Sequence, residues 1–390
     1  MKTKMALAKF LALAVSLILF GFWGRVFPAA SAVAGAAPAA ARSPVSEGIL
    51  ARTLEAARQE KRVVRFGTGG ALDVATIKEH EAAFNRKYPG LNARIEMAPS
   101  DPSYTIVAQK MLQEQKARVG PSFDVVYTME LVFPMVEDVV QQRGQQAFLR
   151  MERELLTKET PAEALVYDGL GVISHQSYYV LLYNPKLVPP EKAPVGYRDL
   201  ADPKWKGKFQ LLPHSSIMGW YALQFGKQEG LEIARKLGEN KPILEFFGPA
   251  MARFTTGELP IMGVGQDDIF TKIKAAGVPV ALGTLEATLR VAHTVHVNKD
   301  APSPNTAKLF AAFMGSPESA AIKERTVFKF NYFYPVSRGR EIANMIKSQE
   351  REGKTKIYNL LDHMDYPRWL TLTKEGKEYS EKVVQLLRGG

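Results

Sequence analysis

Two adjacent carboxylates, Asp267-Asp268 in GVGQDDIF, are the densest spot of potential chemistry in this sequence. Such a pair has three uses. Its hard oxygens can hold a hard cation, it can pair with an amine or guanidinium on an organic solute, or one acid can cap the helix that DDIFTKIKAAG predicts. We expect capping for one Asp and a ligand contact for the other. A different chemistry is offered at Gly67 to Gly70 (GTGG) and at Ser215-Ser216 after Pro213, where an apolar strand runs through a short polar loop into a helix. Helix starts carry unpaired backbone N–H groups and favour carboxylate, phosphonate, phosphate or sulfate. Thr68 and Gly69 are candidates on this ground, although plain capping explains Thr68 alone equally well.

Further candidates follow from strand ends. Thr128 comes directly after FDVVY, where a doubly wound sheet presents ligand contacts. Tyr178 and Tyr179 are neighbours on a strand, so one faces a cleft while the other packs inward. His293 and His296 in AHTVHVN fall on opposite faces of a strand and do not share a metal. There is no HExxH or GxSxG motif, and GVGQDD lacks the third glycine of a dinucleotide turn. The six histidines yield no nucleophile–base–orienter set. We expect no enzyme and no cofactor.

These residues need elements to hold them. EGILARTLEAARQEK predicts an amphipathic helix. VVRFGTGG then opens a strand–helix–strand–helix–strand series ending at FDVVYTM, with Asp73 as a helix N-cap and Pro89-Gly90 and Gly120-Pro121 as stops. SYYVLLYNPKLVPP reads as a buried strand broken by prolines, followed by a surface excursion and a new strand at KFQLL. That is a crossing from one lobe to another, and ligands bind between lobes. The α/β grammar resumes through SSIMGWYALQFGKQEG, IMGVG and VPVALG, and TLRVAHTVHVN leads back. No fixed-period repeat is present.

The N-terminus carries Lys2, Lys4 and Lys9, an uncharged apolar run from Phe10 to Trp23, and an Ala30-Ser31-Ala32 cleavage pattern. These are the parts of a secretory signal. The formal charge of +11, less the four basic residues Lys2, Lys4, Lys9 and Arg25, leaves +7, spread among acids as on solvated helix faces. Lys204-Trp205-Lys206-Gly207-Lys208 is too small for a nucleic-acid footprint. Cysteine is absent, which excludes disulfides and thiolate sites.

In order, VVRFGTGG, AFNRKYPGLN, FDVVYTM, YVLLYNPKLV, DLADPKWKGKFQL, TTGELPIMGVG, APSPNTAKLFAAFMGSPES and YFYPVSRG resemble the extracellular solute-binding proteins of bacterial ABC importers, on the branch that includes the ferric-ion binders. The resemblance runs from about Leu50 to about Arg340. It implies a periplasmic-binding-protein-like α/β fold of two lobes joined by hinge crossings, closing on a small polar solute, anionic or zwitterionic, and delivering it to an inner-membrane permease. It also places Ser215, Ser216, Gln266 and the late aromatic loop with Tyr332 near the ligand. Where the ferric-ion binders have adjacent tyrosines, this chain has Asp267-Asp268. The alternatives are a ferric ion or metal chelate held by these carboxylates, a secreted hydrolase, or a sensory ligand-binding module. The expected organisation is a signal peptide 1–32, a leader 33–46, lobe 1 at 47–176, lobe 2 at 177–290, a return at 291–340, and C-terminal helices at 341–390. The expected protein is a periplasmic monomer.

Overall fold

The computed structural model describes residues 44–98, 103–213, 219–334 and 337–389. The first half is helix α1 (Pro44–Arg58), strand β1 (Val63–Gly67), α2 (Val74–Lys87), β2 (Arg94–Met97), α3 (Tyr104–Ala117), β3 (Val125–Met129), α4 (Phe133–Gln141), β4 (Leu165–Val166) and β5 (Gly171–Tyr183). Then come β6 (Phe209–Leu211), α5 (Lys227–Glu239), β7 (Ile243–Leu244), α6 (Phe247–Thr256), β8 (Ile261–Gln266), α7 (Asp267–Ala275), β9 (Ala281–Leu282) and β10 (Ala287–Val297). The chain finishes with α8 (Pro304–Met314), α9 (Pro317–Val327), α10 (Ser337–Arg351), β11 (Lys356–Asn359), α11 (Asp365–Leu372) and α12 (Lys374–Leu387).

The strands lie in the order β2-β1-β3-β10-β5-β8-β6-β7. β1 is parallel to β2 and β3, while β8 and β7 each run parallel to β6. Between these parallel groups stand two long antiparallel strands. β5 is a 13-residue run with every residue buried, which is why its second half, Tyr178–Tyr183, reads as apolar and aromatic sequence without polar alternation. Its Val172–Tyr178 portion pairs with β10, and from Tyr179 onward it pairs with β8. One strand thus belongs to both halves of an α/β, two-lobe architecture.

Local chemistry sets the helix starts. Asp73 caps α2 by accepting the Thr76 N–H at 2.7 Å, and Ser103 caps α3 by accepting the Thr105 N–H at 3.2 Å. The helix expected through YALQFGKQEG is broken: Gly226 at φ 79° separates a short turn, Tyr221–Phe225, from α5. The tail holds more than helices, because Lys356–Asn359 adds a parallel strand to β10. α11 packs on α4, with Arg368 Nε 2.7 Å from Asp138 Oδ2, and α12 packs on α5. The second contact needs a glycine, since a Cβ at Gly238 would fall 1.9 Å from the Leu386 carbonyl oxygen.

Candidate functional site

A cavity of about 460 Å³ opens between the two strand groups. One wall comes from the first lobe: the Gly69–Asp73 turn after β1, the start of α3 at Ser103–Thr105, Met129 to Val132 after β3, and His293 of β10. The other comes from Tyr179 of β5, Phe246-Phe247 at the start of α6, Gln266 at the end of β8, and Lys272 of α7, with Lys329 beyond α9.

The first wall carries one charged side chain, Asp73, which is spent on capping α2, and is otherwise neutral. Gly69 (φ 55°) and Gly70 (φ 79°) carry the turn, and a Cβ on Gly69 would meet the Tyr104 ring at 2.4 Å, so glycine is required where that ring lies. A bulge between His293 and Thr294 interrupts the pairing of β10 with β5; bulges re-aim side chains. The His293 ring stacks on His175 with centroids 4.0 Å apart and planes 8° from parallel. Neither nitrogen of His293 has a partner within the protein. Burial holds this imidazole down at about 3, so it is neutral at physiological pH. Behind it, Tyr127 Oη lies 2.5 Å from His175 Nδ1.

The second wall is charged. Lys272 Nζ and Lys329 Nζ approach the same oxygen, Asp268 Oδ2, at 3.0 and 2.9 Å. Burial alone would raise the Asp268 carboxyl, but the two ammonium groups outweigh it and bring it to about 2. Two cations share one carboxylate, so one positive charge is left over at the cavity edge. Tyr179, hydrogen-bonded to Gln266, and Phe246-Phe247 give the same wall an aromatic surface.

The residues singled out from sequence are distributed unevenly about this cavity. Gly69 and Gln266 line it. Thr68 lies behind the turn, 2% exposed, with its hydroxyl unpartnered. Thr128 Oγ1 faces Thr294 Oγ1 at 3.0 Å in the interior between β3 and β10. Tyr178 lies on the far side of β5, its ring centroid 5.1 Å from that of Tyr332; its neighbour Tyr179 is the tyrosine of the cavity. Asp267 is fully buried: its Oδ2 accepts the Tyr178 N–H at 3.1 Å and the Tyr332 hydroxyl. Burial, reinforced by the charge on Asp268, pushes Asp267 up to about 7. Asp268 is 3% exposed and engaged by its two lysines. Ser215 and Ser216 lie outside the described residues. Among the described residues no three His, Asp or Glu side chains gather to hold a metal ion.

Sequence reading missed Tyr104, His293 as a cavity residue, Phe246, Phe247, Lys272 and Lys329. One signal was present: Lys272 stands four residues after Asp268, the spacing of a helical ion pair. Nothing local marks Lys329, which reaches Asp268 from 61 residues away.

Comparison with known proteins places this geometry. Residues 81–327 match the family described as bacterial extracellular solute-binding proteins. No curated protein sequence matches the chain. Iron-bound HitA from Pseudomonas aeruginosa is similar in structure, with a TM-score of 0.58 and 20% identity over 70% of this chain and 88% of its own. So is the substrate-binding protein of an ABC transporter from Agrobacterium tumefaciens, at TM-score 0.62 and 13% identity over 84% and 94%. AgtB from A. tumefaciens R10, in complex with agropinic acid, gives 0.59 and 14% over 82% and 98%. At these identities the structures speak for the fold, which is periplasmic-binding-protein-like. The family match covers well over half of the sequence, and the chain belongs to the bacterial extracellular solute-binding proteins.

Proposed function

We propose that the protein is the periplasmic receptor of an ABC importer and that it binds a small organic anion between its lobes, closing on it without altering it and passing it to a membrane permease. The observation that carries this reading is the pairing of Lys272 and Lys329 with the single carboxylate of Asp268 at the cavity edge. An anion entering the cavity meets surplus positive charge on one side. On the other it meets the start of α3, whose leading N–H groups favour negative charge, while the start of α2 is already taken by the Asp73 carboxylate. Tyr104, Tyr179, Phe246 and Phe247 then offer flat apolar surface to the body of the solute. About 460 Å³ suits a small organic acid rather than a bare ion.

A ferric ion held by Asp267 and Asp268 fits less well. Asp267 already accepts three hydrogen bonds, and Asp268 is neutralised by lysines that would repel a cation. The same saturation disfavours an amine-bearing solute. The test is a thermal-shift panel of carboxylates, phosphonates, sulfonates, amines and metals, because a ligand that binds only the folded state raises Tm. Shifts confined to anions support the reading; shifts confined to amines or ferric iron overturn it.

A further inference from the structure

A second cavity, about 300 Å³, lies on the side of β5 away from Tyr179. Tyr178 and Arg290 stand directly opposite each other there, in the register of β5 with β10. The loop carrying Tyr332 closes one side and α10 the other. From α10 come Arg340, Asn344 and Lys347, whose spacing sets them on one helix face.

Three cations and no carboxylate line this space. None of Arg290, Arg340 and Lys347 has an ion pair among the described residues, and the Arg290 Nε is buried with no acceptor. A buried guanidinium donor without a partner is costly, and a carboxylate or phosphate is the acceptor that matches its fork. The acids nearby do not fill that role: Glu350, whose charge reaches Tyr178, accepts the Ile357 N–H at 3.0 Å and makes no ion pair with Arg290, Arg340 or Lys347. Asp267 lies behind Tyr332 and takes its hydroxyl. Glu130 feels Arg290, yet burial pushes it up to about 8, so it is protonated at pH 7.

We propose that this cavity is a second binding site, separate from the interlobe cleft, for a small dianion attached to a flat or aromatic group. Arg290 supplies a planar, partly buried donor set at the base, Arg340 and Lys347 supply charge at the mouth, and the rings of Tyr178 and Tyr332 supply the flat surface. Three unmatched cations call for more than one negative charge.

Phenyl phosphate is the probe, titrated calorimetrically into the full protein and into a Lys272→Gln variant in which the cleft is weakened. The proposal expects a binding event in the full protein that persists undiminished in Lys272→Gln. It expects affinity to fall at least tenfold in an Arg340→Gln/Lys347→Gln double variant, whose two side chains are exposed and whose fold should persist, and in Arg290→Lys, which keeps the charge but loses the fork. The Tm shift that the anions of the thermal-shift panel give through the cleft, read as the part lost in Lys272→Gln, should be unchanged in the double variant. Absence of binding, or loss in Lys272→Gln alone, overturns the proposal. So does a tetraglutamate peptide that outcompetes phenyl phosphate in a manner lost with Arg340 and Lys347, which would assign the surface to an acidic protein partner.

Discussion

The two walls of the cleft are built on different principles. Apart from the capping carboxylate Asp73, the first-lobe wall offers backbone and neutral side chains: a glycine turn, the start of α3, Tyr104 and an uncharged His293. The second-lobe wall offers full charges and aromatic rings, with Lys272 and Lys329 braced on one buried carboxylate. On the proposed function neither wall alone would satisfy an organic anion. The first would orient it through dipoles and the second would neutralise it, so the complete site would exist only when both walls reach the solute, which would give a two-lobe receptor its gain on closing.

The largest way to break the comparison is to remove the brace. Asp268→Ala leaves two lysines facing each other without their counter-ion, and disrupting a buried pair costs about 3 kcal/mol or more. Urea unfolding should show the midpoint falling sharply; an unchanged midpoint would mean that the lysines are supported elsewhere.

A second experiment concerns the first-lobe wall. Glu130, between the cavity residues Met129 and Leu131, is raised by burial to about 8. Its folded-state value lies above its unfolded one, so the folded protein holds a proton that the unfolded chain has released. The resulting stability is complete below the unfolded value and is lost as pH rises through about 8. Glu130→Gln cannot ionise, and its stability relative to the parent should grow by roughly 3 kcal/mol between pH 5 and pH 8. Parallel pH profiles would show instead that Glu130 is charged in the fold.

Smaller effects separate charge from surface in the second wall. Lys272→Gln should weaken the binding of an anionic ligand about tenfold by calorimetry, the worth of one charge-assisted hydrogen bond. Phe246→Ala should weaken it several-fold, about 1 kcal/mol of apolar contact. Phe246 is 57% exposed, so its removal should leave unfolding untouched. Equal losses for a small aliphatic acid and an aromatic one would show that the rings serve packing rather than the solute.

What could be read from sequence depended on how local the cause was. Asp73 capping α2 and the glycine turn before it are short-range chemistry, and both were legible. The buried run SYYVLLY announced a strand, and alternation announced that its two tyrosines would part. It did not say which would face the cleft, because period-two patterning fixes relative faces and not their assignment. The acid pair stood out by composition. Its partners did not: Tyr332 reaches Asp267 from 65 residues away and Lys329 reaches Asp268 from 61, so the fate of both carboxylates was a tertiary outcome. Strand parity separates His293 from His296, yet which of the two faces the cleft depends on the side β10 turns to it, which period-two patterning does not assign.

The most direct measurement is mass spectrometry of what freshly purified protein releases on denaturation, with metal analysis of the same sample. The account predicts one small organic anion at about one per chain, and a Lys272→Gln/Lys329→Gln double variant that purifies without it. Ferric iron or a cationic solute at that stoichiometry, retained when both lysines are removed, would contradict it.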